Sequence, residues 1–333
     1  MTPPGRRGIL RWALATMAST ATAGCAPSRT APIGAGGEGA EGRTAPYVPF
    51  DVTWLIRPRG GHKYLGVSFA GASVTPGYLD LWSRKAGKAP NLLAQRFSWD
   101  EEFPADRVAA VWRQRMLPYL AWEPSGRTLR RIAAGGDDGG IRRTAATVRD
   151  LNVPVALAFA PGFNERDRPW GTRAASAGEF VAAWRRVHDL FQDTGVSNVV
   201  WVWSPTVTAR PEVALEPYWP GDAYADWLGP VGRYPRKGPH TFDGLFGTVV
   251  KEARAFTRAP VLVAETAAPP GGSKAAVVRE LTRAVATRDD VVGFVWLDAA
   301  DRTDWRIDSG TGALDAFRRG VADPRFGFDV RRP

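Results

Sequence analysis

Ala259-Pro260-Val261-Leu262-Val263-Ala264-Glu265-Thr266 is a short apolar run that closes on a carboxylate. Its length suits a strand buried on both faces. Such a strand has no reason to carry a charge unless the charge reaches a cleft or does chemistry. The C-terminal ends of parallel strands are where (β/α) barrels place catalytic groups. The plainer alternative is a Glu that caps the next helix or pairs with an Arg.

Working outward, apolar runs of similar length alternate with helical patterns from Tyr64 onward. The expected strands are 64–70, 92–99, 116–122, 154–160, 198–204, 226–232, 260–265 and 291–298. That number fits one closed α/β architecture, a (β/α)8 TIM barrel in a single domain. A doubly wound open sheet would show a Gly-rich nucleotide turn after its first strand, and Gly66-Val67-Ser68-Phe69-Ala70-Gly71-Ala72 lacks that spacing. Between the strands, Ser176 and Glu179 are spaced as a capping box. Phe180, Val181, Trp184, Val187, Leu190 and Phe191 then recur at helical spacing, and Gly195 ends the run.

The first 25 residues read as an export signal. Arg6-Arg7-Gly8-Ile9-Leu10-Arg11 is similar to a twin-arginine motif, and a short apolar segment follows. Thr22-Ala23-Gly24-Cys25 is similar to a lipobox, which makes Cys25 the expected lipidation site. The expected location is the outer face of a bacterial membrane, held by a lipid anchor; free secretion is the alternative. Residues 26–46 are rich in Gly, Ala and Pro and read as a flexible linker. The barrel is expected over residues 47–330, acting as a monomer. With a single Cys in the chain, no intramolecular disulfide is possible.

The net charge of +10 is compatible with an anionic polymer or surface, but no stripe interleaves aromatics with basic residues, so no nucleic-acid partner is expected. His62, His188 and His240 show no ligand spacing, so neither a metal nor a cofactor is expected. No nucleophile-elbow sequence supports a Ser/His/Asp triad.

The expected strand ends collect Trp99, Asp100, Trp122, Glu123, Asn164, Glu165, Trp201, Trp203, Ser204, Arg233, Tyr234, Glu265, Trp296 and Asp298. Indole faces and acids together suit a polysaccharide or oligosaccharide: apolar ring faces stack on Trp, and carboxylates serve glycosidic chemistry.

Several segments resemble glycoside hydrolase family 26, the family of β-mannanases and related β-glycanases. Asn198-Val199-Val200-Trp201-Val202-Trp203-Ser204-Pro205 resembles its fifth-strand motif, and residues 218–227 resemble the approach to strand six. Phe242-Asp243-Gly244-Leu245-Phe246 with 260–266 resembles the helix and strand that carry the nucleophile. Val295-Trp296-Leu297-Asp298 and Asp304-Trp305-Arg306-Ile307-Asp308-Ser309 resemble the C-terminal end. The resemblance implies a hydrolase of O-glycosyl bonds in β-mannan or a related β-glycan, with Glu265 as nucleophile. It also implies retention, and so a second carboxylate about 5–5.5 Å away. The family places that acid/base in a His-Glu-Met-Asn-Gly motif after strand four. This chain has Pro161-Gly162-Phe163-Asn164-Glu165, with Pro169-Trp170-Gly171 restoring the match, so Gly162 holds the acid's place. Glu165 is the candidate displaced acid/base, with Asp167 and Glu123 as alternatives. Val231-Gly232-Arg233 departs from the family's Asp-Gly-Tyr, with Tyr234 one place late, and Thr206 stands where an Asn is usual. The expected substrate contacts are Trp99, Trp122, Glu123, Asn164, Trp170, Trp203, Arg233, Tyr234, Trp296 and Asp298. The departures leave a second reading open: a catalytically impaired surface lipoprotein that binds glycan or assists polysaccharide assembly without cutting it.

Overall fold

The structure, a computed structural model, describes residues 48–69, 75–208 and 213–332. The export segment with Cys25, the linker 26–46 and Ala70 lie outside the described residues.

The strands are β1 (Tyr64–Ser68), β2 (Leu92–Ser98), β3 (Leu117–Glu123), β4 (Val155–Phe159), β5 (Val199–Trp203), β6 (Trp227–Leu228), β7 (Val231–Arg233), β8 (Val261–Ala267) and β9 (Val291–Leu297). All pair in parallel in the order β6-β5-β4-β3-β2-β1-β9-β8-β7, and a β6–β8 pairing closes the ring. The helices are α1 (Thr53–Ile56), α2 (Pro76–Ala86), α3 (Ala105–Arg113), α4 (Leu129–Ala133), α5 (Asp138–Leu151), α6 (Ala177–Asp193), α7 (Phe242–Ala253), α8 (Lys274–Thr287) and α9 (Ala313–Val321). This is the (β/α)8 barrel that the alternation predicts. The capping box on α6 forms as spaced, with Ser176 and Glu179 each satisfying the other's backbone N–H.

The sixth barrel position departs from the expected continuous strand. Gly229-Pro230 splits it into β6 and β7, because Pro230 has no N–H to give the ladder. A Cβ on Gly229 would stand 2.4 Å from Val202 Cγ1, so only glycine allows this approach. The ladder carries on through the break: Gly229 N–H donates to the Trp203 carbonyl (2.7 Å) and Ala264 N–H to the Pro230 carbonyl (3.0 Å).

Successive strand residues point to opposite faces, and the core accordingly divides in two. Tyr64, Leu92, Ala94, Leu117, Tyr119, Ala121, Val200, Val202, Leu262 and Ala264 pack together inside the barrel. Leu93, Phe97, Leu120, Trp122, Val199, Trp201, Trp203, Val261, Val263 and Trp296 pack outward against the helices. The same alternation sends Ser68, Arg96, Glu123 and Arg233 inward at the C-terminal ends.

Candidate active site

Glu265 sits where the β8–β9 register slips, between Val263 and Thr266. A slip of this kind re-aims a side chain, and Glu265 joins Ala264 in lining the barrel mouth. It is 6% exposed. Its Oε1 accepts from Arg233 Nη2 (2.5 Å) and Nε (3.2 Å), and its Oε2 from Arg96 Nη2 (3.2 Å). The two arginines are half-exposed, and the Trp305 ring lies 5.5 Å beneath the Arg233 guanidinium. The hollow over Glu265 is about 40 Å³, bounded by Arg96, Tyr119, Glu123, Gly162, Arg168 and Thr206 among others. That is room for a few waters and too little for a pyranose ring. Burial pushes the Tyr119 phenol on its floor well above the usual range, so it stays a neutral hydrogen-bonding group.

Across the hollow, the loop after β4 turns sharply. Gly162 has φ +70°, in the left-handed region that favours glycine. The turn brings Glu165 back over Gly162: a Cβ built on Gly162 would stand 2.6 Å from Glu165 Oε1. The Glu165 carboxylate therefore fills the space where a side chain at 162 would begin. Thr206 Oγ1 donates to Glu165 Oε1 (2.6 Å), and Arg168 Nε lies 3.4 Å from Oε2. Arg168 also reaches toward Glu123, with Nη1 3.8 Å from Oε1. The mouth thus has one wall of two arginines around a carboxylate and another of two carboxylates around an arginine.

Asn164 builds the loop and does not face the hollow. Its amide clasps the Thr206 backbone both ways, at 2.7 and 2.8 Å, and so holds the loops after β4 and β5 together. Trp170 Nε1 donates to the Pro161 carbonyl (2.8 Å), and its ring underlies Arg168.

The structure corrects the reading of several aromatics as sugar platforms. Trp122, Trp203 and Trp296 lie on outward-facing strand positions and pack in the strand–helix layer, Trp203 being 0% exposed. Tyr234 also points outward, against Phe246, with its hydroxyl unpartnered, while Arg233 takes the inward place beside Glu265. Asp298 is buried and accepts from Ile307 N–H (2.6 Å), so it shapes the loop after β9. Trp99 is half-buried and stacks on Trp122 with ring centroids 4.3 Å apart. It faces a separate groove of about 1300 Å³ between the loop after β2 and α5, lined also by Asp100, Glu101 and Arg127. Of the expected substrate contacts, Glu123 lines the hollow, Arg233 is bound to Glu265 at its edge, and Trp99 lines the separate groove.

Sequence reasoning missed Arg96, Arg168 and Trp305. Arg96 had a usable signal, a charge inside the β2 run, between Gln95 and Phe97. The other two sit in loops with no periodic pattern to mark them. Among the described residues, no group of three or more His, Cys, Asp or Glu is placed to hold a metal ion.

Gly162 gives a direct handle on this arrangement. Gly162→Ala adds a methyl at the Glu165 carboxylate and 3.1 Å from Thr206 Oγ1. The flexible Glu165 side chain yields first. The variant is expected to lose about 1–2 kcal/mol of stability from the positive φ, read as a Tm shift, and to show the activity of a chain lacking the Glu165 carboxylate.

The Trp305 loop is strapped by Lys274 at the start of α8. Its ammonium donates to the Arg306 carbonyl (2.7 Å) and Ser309 Oγ (2.6 Å) and lies 5.5 Å over Trp296. Burial pulls its pKa from 10.5 down to about 8, against the nearby Asp304, Asp298 and Asp308. Between those values the unfolded chain binds the extra proton, so stability relative to Lys274→Met rises as pH climbs from about 8 to 10.5. The gain is expected to be about 2–3 kcal/mol, measured as the change in Tm difference between pH 7 and pH 10. A difference that shrinks over this range would contradict a buried, proton-losing Lys274.

The model of glycosyl hydrolase family 26 matches residues 139–272. Endoglucanase H of Acetivibrio thermocellus is 27% identical over 250 residues, which cover 71% of this chain and 28% of that protein. The chain thus spans little more than a quarter of the length of this curated relative. Among solved structures, the catalytic domain of the family 26 endo-β-1,4-mannanase of Bacillus sp. JAMB-750 superposes with a TM-score of 0.63 at 14% identity, covering 80% of this chain and 88% of that one. A family 26 β-mannanase from Bacteroides ovatus gives 0.59 at 15% identity, covering 80% and 91%. A β-mannanase from a symbiotic protist of the termite Reticulitermes speratus, complexed with gluco-manno-oligosaccharide, gives 0.58 at 15%, covering 82% and 91%. At such identities the structural likeness is one of fold.

Proposed function

We propose that this chain, a relative of glycosyl hydrolase family 26, is a glycosidase of β-linked polysaccharide that uses Glu265 as nucleophile and Glu165 as acid/base. The observation that carries the reading is the Glu165 carboxylate lying in the side-chain space of Gly162. On this reading a residue three places on supplies, beside Gly162, the carboxylate that the resemblance expects at that position. In the first half-reaction a Glu265 oxygen attacks the anomeric carbon, the glycosidic C–O bond breaks, and a protonated Glu165 gives its proton to the departing oxygen. In the second, water attacks the anomeric carbon of the glycosyl–Glu265 ester, Glu165 takes the water's proton, the C1–O bond to Glu265 breaks, and Glu265 leaves as carboxylate. Arg96 and Arg233 must move aside first, since they occupy both Glu265 oxygens and the hollow holds no ring. Their side chains are half-exposed and free to do so.

That same occupancy favours a second reading, a protein that binds glycan without cutting it. The full chain incubated with β-1,4-mannan and β-1,4-glucan separates the two. Reducing ends released with retained anomeric configuration support the enzyme. Trp fluorescence quenching without reducing ends supports the binder. The leader reading adds a proposal about place: export, and a lipid anchor at Cys25 on the outer face of the bacterial membrane, tested by radiolabelled fatty-acid incorporation in wild type against Cys25→Ala.

A further inference from the structure

The two arginines over Glu265 are more than its counter-ions need. One guanidinium balances one carboxylate; here two converge on Glu265, and Asp301, beside Trp305, is a further acid within electrostatic reach of Arg233. Among the described residues, no other carboxylate is in ion-pair contact with either. Arg96 gives one N–H to the protein and Arg233 two, so among the described residues most of their N–H groups have no protein acceptor. Their side chains are 54% and 41% exposed, and Arg96 lines the hollow. Trp305 holds the Arg233 guanidinium in place from behind. The hollow of about 40 Å³ takes a group of a few atoms, not a ring.

We infer that the sugar seated over Glu265 carries an anionic substituent, and that Arg96 and Arg233 bind it. The inference rests on the glycan-site reading above and names the class of glycan. The anion is of carboxylate, sulfate or phosphate chemistry. A planar carboxylate, as on a uronosyl residue, matches the paired N–H groups of a guanidinium best. Its approach also answers the difficulty of the occupied nucleophile. As the two guanidinium groups turn outward to the substituent, Glu265 loses donors and gains a free oxygen at the sugar. A neutral sugar offers the arginines nothing in exchange. The carboxylate-bearing wall around Arg168 repels an anion, so the acidic sugar is directed to the Glu265 side.

The test uses matched pairs that differ only at C6. β-1,4-Mannuronan hexamer is paired with mannohexaose, and β-1,4-glucuronan hexamer with cellohexaose. A 6-sulfated mannohexaose separates carboxylate from sulfate recognition. Affinity for the full chain is measured by calorimetry at low and high salt, and cleavage by reducing ends. The expected result is at least a ~10-fold preference for the acidic member of one pair. That preference narrows with salt and falls severalfold in Arg96→Gln and Arg233→Gln. Arg96→Lys keeps the charge without the planar fork and is expected to fall between, and the salt dependence of the wild type needs no variant at all. Equal or tighter binding of the neutral member, or a preference that survives both arginine substitutions, would overturn the inference while leaving the glycosidase reading standing. If no member of either pair binds or is cut, both fail.

Discussion

Replacing Glu265 by Gln is expected to lower kcat/KM on β-glycan by ~10⁴ or more, the scale seen when one member of a covalent catalytic unit is deleted. An amide does not attack an anomeric carbon, so the glycosyl–enzyme intermediate cannot form. The fold should survive. The amide oxygen still accepts from one guanidinium, and water can serve the freed donors because both arginines are half-exposed. Tm is therefore expected to move by only a few degrees, and glycan affinity to persist. This combination matters because Glu265 is buried between two cations, where a purely structural carboxylate would also be found. A structural Glu265 predicts a large stability loss, since truncating one partner of a buried ion cluster is costly, and a parallel loss of binding. A catalytic Glu265 predicts lost turnover with binding retained. Turnover that persists in Glu265→Gln would remove it as nucleophile.

The barrel was legible because its strands are near-continuous apolar runs at regular spacing, and burial on both faces leaves them no other composition. Glu265 was legible for the same reason, as a charge where none should be. The identical argument applies to Arg96 inside Leu92-Leu93-Ala94-Gln95-Arg96-Phe97-Ser98, and it points to the partner of Glu265. What misled was treating every strand-end residue as facing the cleft. In a strand, neighbours face opposite ways, so Glu123 and Trp122 cannot both point into the barrel, nor can Arg233 and Tyr234. Fixing the parity from the charged residue places Trp122 and Tyr234 outward, as the structure has them. Trp203 follows from Ser204 in the same way. The loop residues obey no such period. The placement of Glu165 over Gly162 depends on a left-handed turn and on a hydroxyl from the next loop, Thr206, and only the folded chain brings those together.

Glu165→Gln carries the other large effect, and its pattern across substrates says more than its size. On an unactivated β-glycan the leaving oxygen needs a proton, and loss of a positioned donor costs about 10²–10⁴ in rate. On an aryl glycoside with an acidic phenol the leaving group needs none, so glycosylation is expected to run near the wild-type rate. Water attack then lacks its base, and the covalent intermediate should accumulate as a burst. Azide, already an anion, needs no base and is expected to restore turnover and yield a glycosyl azide of retained configuration. Thr206 and Arg168 should bear on the same step, because they hold the carboxylate over Gly162. Gly162→Ala, which pushes the carboxylate away without removing it, is expected to copy the pattern. Combining the two changes should add little, since both remove one positioned group. An undiminished rate in Glu165→Gln on natural substrate would exclude it as the acid. Glu123, the other carboxylate reaching Arg168 across the hollow, would then be the residue to replace. If the wild type binds without cutting, the arginine-bound Glu265 is a recognition group, and the mouth holds a polymer that it does not hydrolyse.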